Sequence, residues 1–239
     1  MSKDVTRRTG REAARSTSGD VANFLDRLAQ TPNLKAAGGK GRLVFAMDAT
    51  ASREPTWDRA CHIQAEMFRE TEVLGGLEVQ LVFYRGFGEC KASPWVDSSG
   101  DLVRRMTAVR CLGGQTQIGK VLRHTLKETG KKKVNALVFV GDCMEEDVDR
   151  LCHHAGRLGV LGTPAFMFQE GGEPIAMRAF RQIARLTGGA YCSFDSSSAR
   201  QLRELLGAVA VFAAGGRLAL SDYGKRTGGA ALQITKQIG

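Results

Sequence analysis

The stretch Leu43-Val44-Phe45-Ala46-Met47-Asp48-Ala49-Thr50-Ala51-Ser52, LVFAMDATAS at residues 43–52, decides how this chain is read. It opens as a short apolar run, meets one carboxylate, and continues with two hydroxyls at alternate positions. Read as a buried strand that delivers polar side chains to the loop after it, the stretch is the first of a series. From Leu43 onward, short apolar runs alternate with amphipathic helical patterns, as in a mostly parallel sheet covered by helices.

Further strands are expected at VQLVFYR (79–85), ALVFVGD (136–142), PAFMFQ (164–169) and AYCSF (190–194). ALVFVGD is the most apolar and suits a position buried on both faces. The segment from Cys90 to Val96 has Pro94 inside it, which suits an edge. Helices are expected from about Pro55, near 99–108, from Thr116 to Thr129, near 147–158, from Ile175 to Leu186 and from Ser198 to about Ala214, where Gly215-Gly216 closes the last one. The fold class is therefore α/β and doubly wound: a mostly parallel sheet with one antiparallel edge strand, in three α/β/α layers.

Outward from this domain, expected at 41–214, the chain divides into three flanking parts. Residues 1–17 are polar and basic and are expected to be disordered. Residues 18–40 hold a one-sided helix, with Ser18 as capping candidate and Val21, Phe24, Leu25 and Leu28 on one stripe, and then a Thr31-Pro32-Asn33 and Gly38-Gly39 linker. Residues 215–239 have two short apolar runs around a Gly-rich turn, for which a hairpin, a docking helix and disorder remain open.

Bulk properties narrow the function. The 239 residues suit one large domain, and six cysteines without regular spacing point to a reducing cytosol rather than a disulfide framework. Neither a signal-peptide core nor an apolar run of membrane-spanning length is present, so a soluble, cytoplasmic protein is expected. The net charge of +9 favours acidic partners or nucleic acid. Lys131-Lys132-Lys133 is the tight basic run, and its place at a helix end gives it a structural role against the dipole.

Ligands of open α/β sheets collect at the carboxyl ends of the central strands. Three loops supply oxygen there: Asp48, Thr50 and Ser52 after the first strand, Thr116 behind Gly113-Gly114, and Asp142 after the most apolar strand. Two carboxylates and three hydroxyls suit a hard cation. This set resembles the von Willebrand factor type A (VWA) domain with its metal-ion-dependent adhesion site (MIDAS). The family pattern is D-x-S-x-S, a Thr in a Gly-Gly loop and an Asp often within T-D-G. Here Thr50 replaces the first Ser, and Gly141 and Cys143 replace the usual neighbours of the last Asp. The resemblance implies that Asp48, Thr50, Ser52, Thr116 and Asp142 hold Mg²⁺, with Mn²⁺ or Ca²⁺ as substitutes, and that an acidic side chain of a protein partner completes the coordination. It also implies an intracellular, non-enzymatic adaptor of the bacterial kind, serving an AAA+ ATPase or a stress-response complex.

Other readings compete. Gly114 to Lys120 spells the front of a phosphate-binding P-loop, and ALVFVGD fits a Walker B strand, but Val121 stands where that loop needs a hydroxyl. The preceding VRRMTAVRCL is also too polar for the buried strand that feeds such a loop. On the MIDAS reading, Lys120 lies solvated on the following helix. Cys152-His153-His154 with Cys61-His62 is a weak zinc candidate. Glu145, Glu146 and Asp147 are a candidate catalytic acid cluster, but a helix dipole explains acids in a first turn, and beside a metal they would tune its selectivity. RNA binding is disfavoured because the helical repeats of Ro-type VWA proteins are missing.

Overall fold

The computed structural model describes residues 40–63, 65–71, 76–194 and 199–227, with residues 19, 22–23 and 26–27 before them. The expected 1–17 tail, the 31–39 linker and the chain beyond 227 lie outside the described residues; those described between 19 and 27 are helical.

Six strands form one sheet: β1 (Gly41–Asp48), β2 (Leu77–Arg85), β3 (Glu89–Ala92), β4 (Ala136–Gly141), β5 (Ala165–Glu170) and β6 (Tyr191–Phe194). Their order across the sheet is β3-β2-β1-β4-β5-β6. Only three residues separate β2 from β3, so that pair must be antiparallel, whereas helical crossovers make the other four pairs parallel. The edge strand is shorter than the expected 90–96. Pro94 has no N–H for the ladder, and pairing resumes only at Val96, which exchanges backbone hydrogen bonds of 2.7 and 2.8 Å with Val79.

The helices are α1 (Glu54–Ile63), α2 (Ala65–Thr71), α3 (Ser99–Thr107), α4 (Ile118–Lys131), α5 (Val148–Val160), α6 (Pro174–Thr187) and α7 (Ala199–Thr227). β1 shows why the fold has three layers. Its Leu43, Phe45 and Met47 join one core with Trp57, Leu102, Leu206 and Phe212, while Val44 and Ala46 join the other with Ile118, Leu122, Leu151 and Phe180. A strand buried on both faces gains from both sets, at roughly 1.5–3 kcal/mol for each large apolar side chain removed from water.

α7 is two helical segments joined at Gly216, whose φ of 75° lies outside the helical range and favours glycine. After the break the chain reverses: the Tyr223 hydroxyl lies 2.9 Å from where a Cβ on Gly207 would stand, and Leu220 joins the core beneath. Of the three conformations left open for the tail, the described part is thus a docked helix.

The basic run is structural. Lys131 pairs with Glu128 at 2.6 Å and Lys132 with Glu78 at 3.3 Å, while the Lys133 ammonium donates to the carbonyls of Leu161 and Gly162 just beyond α5. Buried Arg42 reaches Glu78 at 3.2 Å and stacks on Trp95 in the same cluster. The run therefore closes the end of the sheet opposite Asp48.

Candidate metal centre

The sheet order reverses between β1 and β4, because β2 and β3 extend to one side of β1 while β4 to β6 extend to the other. A crevice opens where neighbouring strands send their loops in opposite directions. Asp48 ends β1, and Asp142 follows β4 immediately beside it. The switch point thus brings two distant parts of the sequence together.

Asp48 is completely buried. Its Oδ1 accepts the Thr50 N–H at 2.7 Å, which folds the loop back so that the Thr50 and Ser52 hydroxyls stand 3.4 Å apart. Ser52 in turn donates to Asp142 Oδ2 at 3.0 Å. Asp48 Oδ2 and Asp142 Oδ1 are buried and have no hydrogen-bond partner among the described residues. Burial pushes the Asp48 carboxyl above the usual aspartate range, and the charge of Asp142 adds to the shift. The Tyr84 hydroxyl, on the neighbouring strand at the register position of Asp48, is also buried, near the Asp48 carboxylate but without a well-formed hydrogen bond among the described residues. Burial, then the Asp48 charge, pushes this phenol well up.

Thr116 occupies the third loop but is held differently. Its hydroxyl accepts the Glu145 N–H at 3.1 Å, and its own N–H donates to the Glu145 carboxylate at 3.3 Å. Asp48, Thr50, Ser52 and Asp142 are linked through one chain of hydrogen bonds; Thr116 is attached instead to the loop after Asp142.

That third loop is fastened to the β2–β3 turn. Gln115 N–H donates to the Gly86 carbonyl at 3.1 Å, the Gln117 amide to the Arg85 and Gly86 carbonyls, and the Lys120 ammonium to the Gly88 carbonyl at 2.7 Å. Lys120 is therefore a bridge, contrary to the solvated position expected for it. A Cβ on Gly114 would stand 2.1 Å from the Gly86 carbonyl oxygen, so only glycine lets the two backbones touch. Gly114→Ala is expected to cost about 1–3 kcal/mol by forcing them apart. A lower melting temperature together with a weakened response to divalent ions would show that the contact positions Thr116.

The same geometry disposes of the P-loop. The loop is fed by α3 and irregular chain rather than a strand. The N–H groups of Ile118 and Gly119, which begin α4 and would face a phosphate, are already taken by the Glu146 carboxylate. Glu146 thus caps α4, not the helix that follows it in sequence. Asp147 caps that one, α5, accepting the Arg150 N–H at 2.9 Å. The zinc candidate separates as well: Cys61 packs in the core on one side of the sheet, and Cys152 lies on α5 on the other.

One neighbour escaped the sequence reading. Among the described residues, the group of metal-ligating side chains close enough to share an ion is Asp48, Asp142 and Cys143, with one ligand atom from each within 4.8 Å of the others. Burial, then the Asp142 charge, pushes the Cys143 thiol up to about 12. The signal was its position directly after Asp142, where the resemblance leads one to expect a different residue.

The donor set fits a divalent cation. A buried acceptor without a donor costs about 1–3 kcal/mol, and more when charged, and a cation held by Asp48 and Asp142 would supply the positive charge that both carboxylates lack.

No family model matches the chain, and no curated protein matches it. Solved structures do. A von Willebrand factor type A protein from Catenulispora acidiphila is 16% identical with a TM-score of 0.59 over 72% of this chain, which spans 43% of that one. The SpRpn10 VWA domain is 15% identical with a TM-score of 0.53, covering 71% of this chain and 95% of that domain. An aerotolerance-related membrane protein from Bacteroides fragilis is 13% identical with a TM-score of 0.53, covering 70% and 98%. The chain thus has the VWA fold. No helix among the described residues is long and apolar enough to cross a membrane.

Proposed function

We propose that this chain is a protein-interaction module in which a divalent cation, Mg²⁺ in the first instance, is held by Asp48, Thr50, Ser52, Thr116 and Asp142 and receives a carboxylate from a partner. The observation that carries the reading is the pair of buried carboxylate oxygens, Asp48 Oδ2 and Asp142 Oδ1, that find no donor among the described residues. When bound, the cation supplies net positive character toward an incoming anion, because few carboxylates neutralise it. Binding rather than bond chemistry is what such a set provides.

The surroundings suit an acidic partner. Thr116 lines a cleft of about 320 Å³ together with the cations Lys120, Arg123 and Arg150, the exposed Phe87, and two carboxylates, Glu146 and Asp147, that are engaged in capping α4 and α5. A partner segment reaching the cation would pass these cations. An adaptor role in the cytoplasm, beside an AAA+ ATPase or a stress-response complex, agrees with this reading.

The test is capture of partners from a cytosolic extract on wild-type protein and on Asp48→Asn, in Mg²⁺ and in EDTA. Proteins retained by the wild type in Mg²⁺ and lost in both other conditions are the expected result. Identical partner sets throughout would overturn the reading. Stabilisation by nucleotide in place of metal would favour a different ligand altogether.

A further inference from the structure

Cys143 adds a sulfur donor beside the carboxylates of Asp48 and Asp142. Its sulfur, one Asp48 oxygen and one Asp142 oxygen lie within 4.8 Å of one another, and ligands bound to one tetrahedral zinc at 2.0–2.3 Å stand about 3.6 Å apart. A modest inward adjustment closes the set. Asp48 is completely buried and its Oδ2 has no hydrogen-bond partner among the described residues, so an acceptor in want of a positive partner is already present in this cluster. Oxygen donors alone favour Mg²⁺, Ca²⁺ or Mn²⁺, whereas a thiolate favours borderline and soft ions such as Zn²⁺ and Co²⁺.

We propose, on the metal-centre reading above, that Asp48, Asp142 and Cys143 form a three-ligand site selective for a borderline divalent ion of the Zn²⁺ class, with a fourth position open. As the metal–sulfur bond forms, the thiol proton passes to solvent; no oxidant or reductant takes part. Two carboxylates and one thiolate bring three negative charges to a dication. The filled site is then less positive than one holding Mg²⁺ with a protonated thiol, and attracts a partner carboxylate less. Zn²⁺ and Mg²⁺ would therefore give the module two states with different affinity for acidic ligands.

The experiment uses the full chain, with Co²⁺ as a spectroscopic stand-in for Zn²⁺ and equilibrium dialysis for Zn²⁺ and Mn²⁺. Wild type is expected to show sulfur-to-cobalt charge-transfer absorption. Cys143→Ser should abolish that band and lower Zn²⁺ affinity by at least about tenfold, as loss of a ligand does, while leaving Mn²⁺ affinity within about twofold. Asp48→Asn should lose both ions, which separates this site from the other cysteines and histidines. Absence of the band, or unchanged Zn²⁺ affinity in Cys143→Ser, would overturn the thiolate site while Mn²⁺ binding upheld the oxygen site. Failure of any divalent ion to bind would sink both.

Discussion

In metal-free buffer containing EDTA, Asp48→Asn should melt at a higher temperature than the wild type, and in Mn²⁺ or Mg²⁺ the order should reverse. The wild-type carboxylate is wholly buried, one of its oxygens has no donor among the described residues, and Asp142 lies beside it. Asparagine keeps an oxygen to accept the Thr50 N–H while removing the charge. The carboxyl is pushed up in the folded protein, so the folded state holds its proton more tightly than the unfolded chain does. Its stabilising contribution is complete below the ordinary aspartate value of 3.8 and is lost as pH rises through the folded value. The gap between variant and wild type in EDTA should therefore widen with pH over that window and then level off. A bound ion reverses the balance: at a hundredfold excess over Kd it adds about 2.7 kcal/mol to the wild type. In a protein of this length that is a rise of roughly 5–10 °C, and the variant should show none of it. Equal melting temperatures for the two proteins in EDTA at neutral pH would mean that the Asp48 charge is compensated by something other than an ion.

Glu170→Ala should be the most destabilising of the substitutions considered. Glu170 ends β5, and its carboxylate pairs with Arg53 and accepts the Thr56 hydroxyl. Arg53 is only 2% exposed, and its Nε and Nη2 have no hydrogen-bond partner among the described residues, so Glu170 is what compensates the guanidinium there. Removing one member of a buried pair leaves the other charge stranded, at about 3–5 kcal/mol. Arg53 follows Ser52 and closes the short 3-10 turn at Ala51–Arg53, so the damage should extend to the metal centre. Denaturant unfolding measures the first effect and Mn²⁺ affinity the second. The double variant Arg53→Met with Glu170→Ala should recover much of the stability, since no charge then remains buried. A Glu170→Ala protein as stable as the wild type would show that Arg53 finds another anion or reaches water.

The fold was legible because strand composition and helix periodicity are local properties. ALVFVGD could be placed in the centre of the sheet from its composition alone, and Pro94 marked the edge because a missing N–H shows in the sequence. The lateral order of strands was not legible, since nothing local in β4 tells it to pair with β1 rather than with β3. Within the site, the Asp48-to-Ser52 loop could be read because its residues are contiguous. Lys120 and Glu146 were misplaced because their partners, Gly88 and the start of α4, lie 32 and 27 to 28 residues away. Hydrogen bonds made by the ends of long side chains depend on how loops converge, and periodicity carries no trace of that. Cys143 was visible as a departure from the family pattern, but its nearness to Asp48 was not.

The reversal at Gly216 has a mechanical consequence. With Tyr223 resting on Gly207 and Leu220 seated in the core, the segment ahead of the break and the segment behind it are braced like the two legs of a clip. Sliding the first leg along the sheet would drag the second with it and unseat both anchors together. Whatever strain reaches this helix from the β1 end of the molecule would therefore be met by a doubled, stiffened strut instead of a single free rod.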